Sequence, residues 1–417
     1  MPRTSTISVI AAQQYWKAAG ILFLAGGFML YCQTVDPRIK AKGVLGLEAR
    51  ANFTVPPPTA VGTFIQVDVP DPVTGKPASY TNPAAVNQIG AITGTYGDKV
   101  GSGSHGFVRS PFGVYSTFDV PGSVNGTFPL AINDLDVVAG YYSDNVGSGY
   151  HGFVGPVSGP FKTIDPPGSS YCCLSMSINL EGSVAGSYLD VNSVQQSFLR
   201  TPDGEPTPFY PPNAANGSAA STITLDGTIL GVYYDVNNVS HGYRRSPFGA
   251  FTDITGPDGA PGQANPYAFL VPALSINPVG TIAGSYFAPM AGNPYGGDYR
   301  GFVKYPNGEY ATFDAAQYPP CCIFTSPAGI NLWGTVTGLY NDGFSIYHGF
   351  LRTRNGTITT FDAPGAGTGA FQGTIPLGIT LTGVVAGIYL GPNDGNFLGV
   401  YQGHGFIFVP QDHDIKE

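Results

Sequence analysis

Five histidines open one recurring tripeptide, His-Gly-Phe or a close variant: His105, His151, His241, His348 and His404. Imidazole is the side chain suited both to metal ligation and to proton transfer near neutral pH. Two further units alter the slot, as Gln196-Ser197-Phe198, with Ser197 taken as the substitute, and as Arg300-Gly301-Phe302. Equivalent positions in units that radiate from an axis cannot converge on one ion at about 2.0 to 2.1 Å. The expectation is therefore a structural imidazole tying adjacent strands together, with no metal and no cofactor.

Aspartates recur in two sets. Asp68, Asp119, Asp165, Asp314 and Asp362 follow a Phe or a similar residue, mostly just ahead of a proline, where a carboxylate can cap a turn by accepting from backbone amides. Asp98, Asp144, Asp190, Asp235 and Asp342 each follow a recurrent tyrosine by two residues. They fall in a loop and are expected to be the more exposed set. With Tyr267, Tyr295 and Tyr299 they are the candidate ligand-binding residues, although a solvated loop aspartate is the common case. A pair of them about 5 to 9.5 Å apart in a pocket would suit glycoside hydrolysis. The sequence offers no nucleophile elbow, phosphate loop or zinc-protease motif that would favour catalysis.

Apart from Cys32, the cysteines are two adjacent pairs, Cys172-Cys173 and Cys321-Cys322. Both pairs are placed in loops joining one unit to the next. In an oxidising compartment pairing is expected, and local vicinal disulfides are preferred. Free thiols come second. A four-thiolate metal site is third, since adjacent cysteines lack the usual two-residue spacer.

The elements that must position these residues are repeats. The segment AINDLDVVAGYYSDNVGSGYHGFVGPVSGPFKTIDPPG typifies a unit whose start recurs at Ala85, Ala131, Ser177, Thr222, Ser275, Gly329 and Gly378, at intervals of about 45 to 54 residues. Each unit reads as four short strands. The first ends in Ile-Asn or a variant and is followed by a tight turn; the second alternates as V-x-G-x-Y; the third opens at His-Gly-Phe; the fourth carries Phe-Asp.

The seventh unit stops after His404-Gly405-Phe406 without a fourth strand, whereas Gly62 to Pro70 matches the fourth strand of the first unit, Gly113 to Pro121. The fold expected is all-β: a seven-bladed β-propeller closed by an N-terminal strand completing the last blade, which leaves no open sheet edge. An open β-solenoid is the competing architecture.

These repeats resemble the HAF family of probable extracellular bacterial repeats, whose hallmark is a Gly-Ile-Asn, Gly, Val-x-Gly run followed by His-Ala-Phe; here the tripeptide is mostly His-Gly-Phe. The resemblance implies an exported, propeller-like protein. It brings no established activity and no catalytic residues.

Ahead of the repeats, Ala18 to Tyr31 carries no charge and follows Arg3 and Lys17, the layout of an export signal. Extended to Val35 the run approaches the minimum for a membrane span. Cleaved signal and retained anchor both stay open, because Arg38, Lys40 and Lys42 follow the run closely. Residues 1–51 are read as this export signal or anchor with its linker, 52–61 as a Pro-rich linker, 62–410 as the propeller and 411–417 as a tail.

Only 11% of residues are charged and 42% are hydrophobic, against roughly 25% charged in an average soluble domain. A net charge of -9 with no basic cluster in the repeats argues against nucleic acid as a partner. The reading that follows is an exported, monomeric, non-catalytic binding or interaction module for a glycan or protein surface, with possible membrane attachment through the N-terminal run. A propeller hydrolase or lyase using paired aspartates on the loop-rich face is the runner-up. The expected binding face gathers the irregular segments: the exit loop around Tyr267, and the insertions Met290 to Tyr299 and Gly391 to Tyr401.

Overall fold

The computed structural model describes residues 59–411, except 72–73, 99–102, 145–148, 258–273, 291–292, 316–323, 343–344, 395, 398–399 and 402. Strands and turns account for the regular structure, and the described residues contain no helix. No helix among them could cross a membrane; the run Ala18 to Tyr31 and the tail beyond residue 411 lie outside the described residues.

Each repeat forms an antiparallel sheet in which the strands pair in chain order. Unit one is Tyr80–Val86, Ile92–Gly97, Ser104–Arg109 and Tyr115–Phe118; unit two is Gly126–Ile132, Val137–Ser143, Tyr150–Pro156 and Lys162–Thr163. Unit three is Ser169–Ile178, Val184–Asp190, Gln195–Arg200 and Thr207–Phe209; unit four is Ser218–Ile223, Ile229–Tyr234, Ser240–Arg245 and Phe251–Ile254. Unit five is Ser275–Ile276, Ile282–Met290, Asn293–Lys304 and Tyr310–Phe313; unit six is Thr325–Ile330, Val336–Asn341, Tyr347–Arg352 and Ile358–Phe361. The last set is Gly373–Ile379, Val385–Leu390 and His404–Pro410, and its fourth strand is Gly62–Val67. That strand pairs antiparallel with His404–Pro410 from Gly62 opposite Pro410 to Val67 opposite Gly405. A lone parallel bridge, Tyr347 to Gly373, links unit six to the last set.

The second strand needs its glycine because the first strand bulges against it. In unit one the register slips between Pro83 and Ala85, which throws the Asn82 carbonyl toward Gly94. A Cβ on Gly94 would collide with that carbonyl oxygen and with Pro83. Corresponding slips recur in units two, six and seven, at Pro129/Ala131, Pro327/Gly329 and Pro376/Gly378. Proline tolerates this place since a bulge leaves a strand amide unpaired.

The core lies between sheets. One cluster joins unit two to unit three through Val154, Ile164, Val184 and Phe198; another joins the last set to unit one through Val67, Val69, Ile92, Phe107 and Ile407. Every other pair of successive units shares such a cluster. Hydrogen bonds run the same way. The Thr81 hydroxyl accepts from the Val69 amide at 3.0 Å and Thr127 from Val120 at 3.1 Å; Thr325 and Thr374 likewise hold Ala315 and Ala363. In unit three Cys172 takes this place, opposite Asp165-Pro166, where proline has no amide to donate.

Three expectations about segments change. Cys172 and Cys173 are not in a loop: they lie inside strand Ser169–Ile178, buried in the cluster between units two and three, because the chain returns to strand pairing directly after Gly168. Most of Met290 to Tyr299 is strand, since Ile282–Met290 and Asn293–Lys304 pair as a long hairpin with Phe287 opposite Tyr299. The supposed linker is already part of the fold at its end, where the Ala60 amide donates to Thr360 at 2.7 Å and Ala60 is buried.

Candidate functional site

In units one, two and six and in the last set, a histidine, one aspartate of each kind and the recurrent tyrosine meet at one end of the sheet, where the second strand leaves and the third begins. In unit one, His105 Nδ1 donates to Asp119 at 2.9 Å while Nε2 lies 3.4 Å from Asp98. Its ring packs on Tyr96, 5.3 Å between centroids. Unit two repeats this with His151 between Asp165 at 2.6 Å and Asp144 at 3.4 Å, and unit six with His348 between Asp362 at 3.0 Å and Asp342 at 3.8 Å. In the last set the partner comes from the other end of the chain: His404 donates to Asp68 at 3.0 Å, with Asp394 at 3.8 Å on its far side.

The remaining units show what the slot requires. His241 keeps Asp235 at 3.3 Å and stacks on Tyr233 at 4.9 Å, but Thr255 stands where Asp119 stands in unit one. In unit three, Tyr188 faces Gln196 as Tyr142 faces His151. Gln196 therefore occupies the histidine slot, not Ser197 as the sequence suggested, and its amide reaches Asp190 at 3.3 Å. Ser197 takes the glycine position. In unit five Arg300 lies 3.5 Å from Asp314.

The loop set is less exposed than most of the turn set, contrary to expectation, although Asp68 of the turn set is itself only 12% exposed. Side chains of Asp98, Asp144 and Asp342 are 22%, 17% and 13% exposed, whereas Asp119 and Asp362 are 51% and 54% exposed. The loop set is drawn in because it caps its own loop. Asp235 accepts from the amides of Val239 and Asn237, and Asp190 from those of Val194 and Asn192. The Val239 hydrogen bond is the main reason the Asp235 carboxyl titrates below its ordinary value, burial opposing it in part.

Two histidines are tuned upward. At His404 the hydrogen bond to Asp68 is the chief cause, opposed by burial and helped by the charges of Asp68 and Asp394. At His348 burial pulls downward, yet Asp362 and Asp342 together outweigh it and the imidazole sits above its usual value. Desolvation likewise raises Asp314, against the pull of Arg300. Among the described residues no group of three or more His, Cys, Asp or Glu is placed to hold a metal ion.

Of the candidate tyrosines, Tyr299 packs edge-on against Phe287 at 5.4 Å. Tyr267 lies outside the described residues, as do Cys321 and Cys322, and of Tyr295 only the backbone, within strand Asn293–Lys304, is described. Cys172 and Cys173 form a vicinal disulfide, packed against the glycine of the neighbouring His151-Gly152-Phe153.

Sequence reasoning missed an aromatic patch on this same loop face. Tyr150 and Tyr171 pack at 4.3 Å between ring centroids, and Tyr141 stacks on Phe128 at 4.8 Å while touching both. All four are half-buried. Burial pushes the Tyr141 hydroxyl up to about 12 and raises Tyr171 as well. Tyr80, bonded to Ser104 at 2.6 Å, borders the patch. Its members come from two units, with Tyr80 of a third at the border, so no single repeat displays it.

No protein-family model matches the chain, and no curated protein does. Among solved structures, a streptogramin B lyase is similar with a TM-score of 0.50 at 14% identity, covering 84% of this chain and 98% of its own. A virginiamycin B lyase from Staphylococcus aureus gives a TM-score of 0.49 at 14% identity, covering 84% of this chain and 100% of its own. At that identity the likeness shows the fold alone. The chain is all-β and propeller-like.

Proposed function

We propose that this protein is an exported, non-catalytic binding module: a seven-bladed β-propeller, closed by strand Gly62–Val67, that takes a glycan or protein surface on its loop face. The blade count and closure rest on the seven strand sets and on the apolar cluster between the last set and unit one. Export rests on the uncharged run ahead of the repeats and on the resemblance of the units to HAF repeats. A net charge of -9 supports a partner other than nucleic acid.

One observation carries the choice of binding over catalysis. The aspartates that would serve a hydrolase are already spent, on both nitrogens of an imidazole and on the amides of their own loops. A general acid must be within reach of substrate and free to exchange its proton. What the loop face offers instead is the half-buried patch of Tyr141, Tyr150 and Tyr171, whose flat rings and hydroxyls suit stacking on sugar rings or protein side chains.

A glycan array probed with the purified protein tests this. Binding weakened at least tenfold by Tyr150→Ala with Tyr171→Ala, with no turnover of the bound glycan, is expected. Turnover abolished by Asp144→Asn or Asp98→Asn would replace the proposal with the hydrolase or lyase reading.

A further inference from the structure

The face opposite the loops carries an apolar ring that the proposed function leaves unused. Each turn between a first and second strand exposes one large apolar side chain. Leu180, Leu225 and Leu381 directly follow the Asn or Thr that opens the turn; Ile89, Leu135, Val279 and Trp333 stand one residue further on. Two outer turns, Ser110-Pro111-Phe112-Gly113 and Ser246-Pro247-Phe248-Gly249, present Phe112 and Phe248 at 93% and 98% exposure. Of the exposed large apolar side chains among the described residues, only Val124, Val191, Tyr210 and Val236 belong to the loop face.

The turn face is also where the N-terminal chain enters. Gly62 pairs with Pro410 at the end of the last third strand, and the Gln411 amide donates to the Val61 carbonyl at 2.8 Å. Ile65 shares a shallow depression with Ile89 and Thr380, two residues of the turns. The 58 residues upstream of Thr59 include the uncharged run Ala18 to Tyr31.

We propose that the turn face rests on a lipid bilayer, with the ring of apolar tips and the two protruding phenylalanines seated in the interfacial layer. Single exposed apolar residues are ordinary on a protein surface; here one recurs at every first turn and all lie on one face. Trp, Phe and Leu at separate turn tips suit the interface, where aromatic rings favour headgroup depth. A chain that reaches the domain on this side, from an apolar run, turns this side toward the membrane holding that run. Asp134, Glu181 and Asp226 stand in the same turns, and Arg109, Arg244 and Arg354 lie beside them; with both signs present the apolar tips are the driving force, and neutral lipid is the probe.

Trp333 makes this testable, because the chain has only two tryptophans. The full chain carrying Trp16→Phe is mixed with phosphatidylcholine vesicles whose acyl chains are brominated at shallow or deep positions. The expected result is at least twofold quenching of Trp333 by shallow bromines and less by deep ones. Leu135→Glu with Val279→Glu should remove the quenching while the protein still floats with the vesicles. Both positions are more than half exposed, so the melting temperature checks that this variant remains folded. Unquenched Trp333 in protein that floats with the vesicles would overturn the proposal, leaving attachment through the N-terminal run alone. Failure to associate with vesicles, together with a dimer in sedimentation that the same variant dissolves, would overturn it in favour of a second copy on this face.

Discussion

Asp68 accepts a hydrogen bond from His404 Nδ1 at 3.0 Å although 336 residues separate the two in the chain. Asp119 does the same for His105 within one unit at a separation of 14. The N-terminal strand thus supplies the last set with the carboxylate that other units make for themselves. Around it Phe64 packs on Phe361, Phe406 and Phe408, and Val67 and Val69 are fully buried.

Removing Thr59 to Pro70 should therefore cost several kcal/mol, through lost apolar burial and an opened sheet edge. A fall in Tm on the order of 10 °C or more is expected for a domain of this size. Calorimetry of the truncated protein checks it, and an unchanged melt would dismiss the closure.

Stability should fall with rising pH through His348 and His404. Their folded values lie above the ordinary one, so the protonated rings are the stabilising form. Their contribution is complete below about pH 6.5, the unfolded value, and is lost as pH rises through the folded values. The paired variant His348→Gln with His404→Gln should show a smaller drop in Tm between pH 6 and pH 9 than the parent. Equal drops would mean that neither pair responds to protonation.

Asn133 performs two tasks. Its Oδ1 accepts from the amides of Leu135 and Val137 in its own turn, and its Nδ2 donates to the Asn179 carbonyl of the next unit at 3.0 Å. Asn87, Asn277 and Asn331 are arranged likewise. Asn133→Ala strands buried partners and should cost about 1–3 kcal/mol. Asn133→Asp, which keeps the acceptor and loses the donor, should fall between it and the parent in urea titrations.

Gly152 has no room to grow. A Cβ there would lie 2.8 Å from Ile164 and 2.9 Å from each sulfur of the Cys172–Cys173 disulfide. Gly152→Ala should destabilise by about 1–3 kcal/mol through overpacking. The two buried sulfurs should also resist alkylation in reduced but native protein, compared with denatured protein; peptide mass mapping reads both effects of that shielding.

The repeating strands were legible because turn residues and the V-x-G-x-Y alternation recur in each unit, and because Gly62 to Pro70 carries a fourth-strand pattern out of place. The purpose of the aspartates was harder to read. A constant interval of 14 from His105 to Asp119, His151 to Asp165 and His348 to Asp362 was the available signal, since a short third strand and turn fix that distance. The asparagine links left no such trace: their acceptors are backbone carbonyls, which every residue has. The strand position of Cys172 was not legible because the recurring pattern is recognisable only from Ser177 onward, near the end of strand Ser169–Ile178, and a register slip between Cys172 and Ser175 interrupts the pairing ahead of it.

The pairing of Gly62–Val67 with His404–Pro410 also sets an order of events in time. The first strand to leave the ribosome finds its partner only when nearly the whole domain has been made, on the order of tens of seconds later at usual rates of synthesis. For that interval Val67 and Val69 can rest on Ile92 and Phe107 of unit one, but Phe64, whose partners are Phe361, Phe406 and Phe408, has nothing native to cover it. A cell producing this protein must shield that strand, or keep the chain moving, until its final strand arrives.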